Sequence, residues 1–138
     1  IDSIQKDTES FTAYMNALGM PKNTDEEKAA RKEAMQNGLK EAAEVPLAVA
    51  ETALKIFHVA GAVVERGNAN AVTDGLVASM MARTAVLSAL LNVKINLGSI
   101  KDEEFVARMA AKVAELEKAA MDGEKAVMEL SALTRDLV

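Results

Sequence analysis

The chain has no cysteine and no tryptophan, one histidine, two prolines and seven glycines among 138 residues. Without cysteine, disulfides, thiolate nucleophiles and thiolate metal centres are excluded. That is compatible with a reducing compartment, and a cytoplasmic location is the expectation. One histidine excludes a His-rich metal site, and nothing in the pattern supports carboxylate-only ligation, so no metal is expected. Aromatics are 3% of the chain, and no segment alternates apolar and polar residues with period two over a useful length, which argues against strands. Basic residues are the minority, 16 against 21 acidic, for a net charge of −5. That balance argues against a general nucleic-acid binder and against a polybasic membrane contact. There is no Gly-rich phosphate loop, nucleophile elbow, zinc motif or Ser/His/Asp arrangement. The longest apolar run, Val45 to Val64, is broken by Glu51, Lys55 and His58, so no transmembrane span is expected.

What remains is the composition of a helical bundle: half the residues are hydrophobic, many of them alanine, with few helix breakers. One stretch organises it. Gly67 to Leu97 reads as a single long helix, apolar on nearly every side, and such a helix is expected to be buried. Asp74 and Asn92 stand 18 residues apart, close to five turns, with Ser88 and Asn96 one turn either side of Asn92. These polar groups therefore share a face. Buried carboxamides and a carboxylate need partners, because leaving one unpaired costs about 1–3 kcal/mol. The partner is either a neighbouring helix or a bound molecule.

The other elements follow from their periodicity and breakers. Residues 2–18 give a first helix whose apolar face is Ile4, Phe11, Met15 and Leu18. Asp7 falls on that face. Desolvation there would raise its pKa toward neutrality and suit it to acid/base work, while a frayed first turn would leave it solvated. Gly19 to Asn23 is a loop, and Thr24-Asp25-Glu26-Glu27 is a capping box. A helical pattern runs from Asp25 to Arg66, with a kink or break expected near Glu44–Pro46 because proline removes a backbone donor. Lys28, Arg31 and Lys32, with Lys22 nearby, form a small basic cluster that reads as a solvated face. His58, between Phe57 and Val59, reads as a core histidine rather than a catalyst. Asp102 caps a last helix over 103–137, with Val106, Met109, Val113, Leu116, Ala120, Val127, Leu130 and Leu137 on its seam. At 1.5 Å per residue that helix would be roughly 50 Å long, more than a small domain can cover, so a homodimer burying much of it is expected.

Several motifs occur together in order: DTESFTAYM with Asp7 and Phe11, LGMPKNTDEEKAAR, EVPLAVAE, GNANAVTD and LLNVKINLGSIKDEEF. In these the chain resembles the cyclodeaminase/cyclohydrolase family, over roughly residues 1–110. The resemblance implies an all-α, up-and-down bundle with long, partly kinked helices that dimerises, with folate chemistry in a cleft of the bundle. It places the family's catalytic aspartate on Asp7. Pro21-Lys22-Asn23, Asn68, Asp74, Asn92 and Asn96 also fall on family positions. The family domain begins with a further helical region carrying a Gly-rich, Ser-containing stretch. Residues 1–138 contain no counterpart, so they are expected to form a single domain lacking that region.

The implied reaction is the cyclodeaminase step. The N10 amine of 5-formimidoyltetrahydrofolate attacks the amidine carbon, ammonia leaves, and 5,10-methenyltetrahydrofolate remains. Asp7 would move the protons, Asn92 and Asn96 would hydrogen-bond the pterin edge, Asp74 would share their face, and Lys22 would meet the glutamate tail. No cofactor is expected beyond the tetrahydrofolate substrate. Two alternatives stay open. One is a methenyltetrahydrofolate cyclohydrolase giving 10-formyltetrahydrofolate. The other is a non-catalytic helical dimerisation module, in which Asp7 and the Asn stripe are structural.

Overall fold

The computed structural model describes residues 2–138, with the side chains of Asp2, Ser3, Ile4 and Asp7 outside the described residues. Among the described residues, five α-helices follow one another: α1 (Asp2–Leu18), α2 (Asp25–Leu54), α3 (Ile56–Arg66), α4 (Ala69–Leu97) and α5 (Glu103–Glu129), then a short 3-10 turn, Arg135–Leu137. There is no strand among the described residues. Helix α4 is the hub, packing against α2, α3 and α5, while α1 packs against α2. The all-α bundle expected from composition is therefore the observed architecture.

Capping sets the start of α2. The Thr24 hydroxyl accepts from the Glu27 amide at 3.1 Å, and the Glu27 carboxylate accepts from the Thr24 amide in return. Arg31, from the basic cluster, donates to the Leu18 carbonyl and so closes the C-terminus of α1. Lys28 pairs with Asp25. Further along α2, Gln36 accepts from the Lys101 amide and donates to the Ser99 carbonyl. Lys40 reaches Asp102 at 2.7 Å. These three contacts tie the α4–α5 turn to α2. The Asp102 side chain also caps α5 by accepting from the Phe105 amide, as its position in the sequence suggests.

Four expectations are corrected. Helix α2 does not break at Pro46; it continues to Leu54, and the interruption lies at Lys55. A side chain from α4, Asn96, donates to the Ala42 carbonyl that the proline leaves without its helical donor. The last helix ends at Glu129, not 137. There the Thr134 hydroxyl donates to the Met128 carbonyl and the Ser131 hydroxyl accepts from the Leu133 amide, closing the chain into a turn. The seam from Phe105 through Val127 faces inward and is buried, so α5 does not supply the apolar surface expected of it. Helix α1 turns Ser10, Tyr14 and Ala17 toward the bundle, while Phe11 and Met15 are exposed. Small residues let α1 lie close: a Cβ on Gly38 would stand 3.0 Å from the Tyr14 Cα.

The fourth correction concerns α4 itself. Its inward stripe, including Leu76, Ser79, Val86, Leu90 and Val93, is buried, but Val77, Met81, Leu91 and Ile95 are exposed. The exposed stripe keeps a four/three spacing through Thr84 and Ser88, the register of a helix-packing seam. By length and composition alone, Asp25–Arg66, which comprises α2 and α3, and Ala69–Leu97 each hold a stretch apolar enough to cross a membrane. Each nevertheless contributes a stripe to the shared core.

Candidate functional site

Helices α1, α2 and α4 enclose a cavity of about 350 Å³ between them, lined by Ser10, Phe11, Tyr14, Leu39, Ala42, Pro46, Asn92 and Asn96. That volume lies within the range of small-molecule sites, and the lining has their usual character: apolar and aromatic walls with a few polar groups. The α1 helix contributes the aromatic wall, Phe11 and Tyr14. The α4 helix contributes two carboxamides one turn apart. The α2 helix contributes the floor, Leu39, Ala42 and Pro46.

Proline 46 explains one feature of this wall. In an uninterrupted α-helix the amide of residue 46 would donate to the carbonyl of Ala42, and proline has no such amide. The Asn96 side chain supplies the missing donor: its Nδ2 lies 3.1 Å from the Ala42 carbonyl oxygen and 2.9 Å from the Asn92 carbonyl oxygen. Both acceptors are carbonyls, which fixes which end of the Asn96 amide is nitrogen. Its two N–H donors are thereby engaged, and Oδ1 remains as the group it can offer a ligand.

The expected site residues separate into those the fold brings together and those it does not. Asn92 and Asn96 share the cavity, Asn92 exposed and Asn96 half-buried. The Asn stripe is thus not a buried line of polar groups but the wall of an open cavity. Asp74 is exposed and lies outside the lining. Although it shares the Asn92 face of α4, it is about 27 Å away along the axis. Lys22 is exposed in the loop after α1 and also outside the lining. The Asp7 side chain lies outside the described residues. Its backbone is in α1, one turn before Ser10 and Phe11 and two turns before Tyr14, so the helical repeat puts its position on the stripe that forms the aromatic wall.

Sequence reasoning missed Ser10, Tyr14, Leu39, Ala42 and Pro46. Proline carried a usable signal: a proline inside a helix leaves a carbonyl in want of a donor, and an asparagine on a packed helix is a natural source. His58 is exposed, not core, and lines a cleft of about 460 Å³ between α3 and α5 with Gly61, Glu65 and Gly123 among its neighbours. A Cβ on Gly123 would stand 2.8 Å from the Phe57 ring, so this glycine makes room for an aromatic that closes the core there. Among the described residues, no three metal-ligating side chains cluster.

The sequence model of the Formiminotransferase-cyclodeaminase family matches residues 1–115. The chain is 44% identical over 102 residues to a methenyltetrahydrofolate cyclohydrolase of Methylorubrum extorquens, covering 74% of this chain and 49% of that protein. It is 35% identical over 127 residues to the formimidoyltransferase-cyclodeaminase of Gallus gallus, covering 92% of this chain and 24% of that one. The solved formiminotetrahydrofolate cyclodeaminase of Thermotoga maritima superposes with a TM-score of 0.78 at 29% identity, over 99% of this chain and 62% of its own. The chain thus spans about half the length of the cyclohydrolase and a quarter of the bifunctional protein.

Proposed function

Because this chain belongs to the formiminotransferase-cyclodeaminase family, we propose that the α1–α2–α4 cavity takes the pterin of a tetrahydrofolate and that the chain serves formimidoyltetrahydrofolate cyclodeamination. The observation that carries this reading is the pairing of an aromatic wall, Phe11 and Tyr14, with the carboxamides of Asn92 and Asn96 in one cavity. Aromatic faces stack on a flat heterocycle, and carboxamides match its hydrogen-bonding edge.

In the proposed chemistry, N10 of 5-formimidoyltetrahydrofolate adds to the amidine carbon and loses its proton. The carbon–nitrogen bond to the formimidoyl nitrogen then breaks as that nitrogen gains a proton and departs as ammonia. One carboxylate can accept the first proton and deliver the second, and proton transfer of this kind is typically worth 10²–10⁴-fold. Asp7 is assigned that role, since its place on α1 continues the aromatic wall by one turn. The exposed Lys22 is assigned to the glutamate tail, outside the cavity. Asp74 has no assigned ligand contact.

A second reading, the cyclohydrolase, is favoured by the 44% identity to the Methylorubrum enzyme. There water adds to the methenyl carbon, the bond from that carbon to N5 breaks, and the product is 10-formyltetrahydrofolate; the same carboxylate carries one water proton to N5 and the other is released to solvent. Supplying each substrate separately, while following methenyltetrahydrofolate absorbance and ammonia, distinguishes the two. Absorbance that rises with ammonia release supports the first. Absorbance that falls when methenyltetrahydrofolate is supplied supports the second. Neither change would contradict folate turnover by this chain and support a purely structural module.

We also propose that the chain forms a homodimer. The exposed Val77, Met81, Leu91 and Ile95 stripe of α4 supports it in place of the α5 surface expected from the sequence.

A further inference from the structure

We propose that Pro46 is a positioning residue for ligand selection: by withholding an amide from the Ala42 carbonyl, it orients the Asn96 carboxamide so that the cavity presents an acceptor. This rests on the reading of the α1–α2–α4 cavity as a folate site. A free asparagine offers a ligand either a donor or an acceptor, because its amide can rotate by half a turn. Asn96 has lost that choice. Its Nδ2 is held between the Ala42 and Asn92 carbonyl oxygens at 3.1 and 2.9 Å. Turning the amide over would put Oδ1 against two carbonyl oxygens, a pair of repulsive contacts. The group left for a ligand is Oδ1.

The consequence is chemical selectivity. An acceptor fixed in the wall favours a ring edge that donates N–H, such as the N3–H and 2-amino groups of a reduced pterin, over an edge that presents only acceptors. Asn92, one turn away, is exposed, and no hydrogen bond from its side chain to a described residue restrains it in the same way. It is free to follow the ligand, whereas Asn96 is not. An interior proline ordinarily weakens a helix, because it loses a hydrogen bond and crowds the preceding turn. Here the helix passes through Pro46 unbroken, and the carbonyl it exposes is the one that holds Asn96.

The test is a double-mutant cycle on Pro46 and Asn96, read by calorimetric titration of the intact chain with 5-formyltetrahydrofolate, a stable reduced folate. Pro46→Val restores the amide, draws the Ala42 carbonyl back into the helix ladder, and keeps apolar bulk at the cavity floor. The expected result is that Pro46→Val binds about tenfold more weakly, the worth of one hydrogen bond, while its melting temperature holds or rises. Asn96→Ala should lose a similar factor, and the double variant should bind no worse than Asn96→Ala alone, because the proline acts through the asparagine. Wild-type affinity in folded Pro46→Val, or additive losses in the double variant, would overturn the proposal. A loss in Asn96→Ala without one in Pro46→Val would leave the cavity as the folate site and remove only the role of Pro46. If Asn96→Ala and Phe11→Ala both bind as wild type does, the cavity itself is not the folate site, and the proposal falls with it.

Discussion

The Asn96 side chain donates across the α2–α4 packing to the Ala42 carbonyl, 3.1 Å away, at the point where Pro46 deprives that carbonyl of its helical partner. A side chain on the central helix thus completes the hydrogen bonding of its neighbour. Breaking this contact should cost stability. Asn96→Leu leaves the Ala42 carbonyl short of a donor at a partly buried site, and a loss of about 1–3 kcal/mol in urea unfolding is expected. Asn92→Leu removes no such contact and should fall within about 0.5 kcal/mol of wild type, the range of ordinary surface substitutions. Equal losses in the two variants would contradict the distinction.

The same pair should separate differently in binding. Asn92 is assigned to the pterin edge and lines the cavity. Its replacement by leucine leaves ligand groups unpaired and should weaken reduced-folate binding by about 1–3 kcal/mol, roughly 5- to 150-fold. Unchanged affinity in the folded variant would return Asn92 to a surface role.

The bundle was legible in the sequence where periodicity and caps agree. Thr24 to Glu27 announces a helix start, Asp102 announces another, and the Gly19 and Gly98 regions end the helices before them. Two kinds of information were not legible. Periodicity describes which residues are apolar, not which face the bundle uses. Helix α1 therefore packs through Ser10, Tyr14 and Ala17, beside Gly38, instead of through Phe11 and Met15. Face and distance are also different things: Asp74 and Asn92 share an azimuth on α4 yet lie too far apart to meet one small ligand. Local propensity at Pro46 predicts a kink or break, and the compensating donor comes from a residue 50 positions later, Asn96.

Acid should weaken the tie between α2 and the α4–α5 turn. The Asp102 carboxyl is held below the usual carboxylate range, first by the hydrogen bond from Lys40 and then by that from the Phe105 amide. Its folded pKa lies below its unfolded one, so this contribution is fully present above the ordinary value of 3.8 and is lost as pH falls through the lowered folded value. Asp102→Asn keeps a capping oxygen but loses the charge. Its stability deficit against wild type should be constant near neutrality and shrink as the pH drops below the ordinary carboxylate range. A deficit that grows in acid would contradict the sign.

Self-association should depend on α4. Replacing Ile95, 76% exposed, by glutamate places a charge at the C-terminal end of the proposed α4 interface without touching the core. Sedimentation of the wild-type chain at micromolar concentration should give a dimer, and Ile95→Glu a monomer with the same helix content. A wild-type monomer would contradict the interface, as would a dimer insensitive to Ile95→Glu.

Turnover should depend on Asp7. In an active form of the protein, Asp7→Asn should retain the fold and reduced-folate affinity but lose about 10²–10⁴-fold in kcat, the usual worth of a positioned acid/base. A folded variant with wild-type rates would remove the catalytic assignment and leave the cavity as a binding site only.

The most direct measurement locates the folate itself. Titrating 5-formyltetrahydrofolate into the nitrogen-15-labelled chain and following amide chemical shifts reports which residues the ligand approaches. The expected result is a set of saturating shifts centred on Ser10, Phe11, Tyr14, Asn92 and Asn96, with the side-chain amide of Asn92 among the largest. Shifts confined to the His58 and Gly123 cleft between α3 and α5, or no shifts at millimolar ligand, would contradict a folate site between α1, α2 and α4.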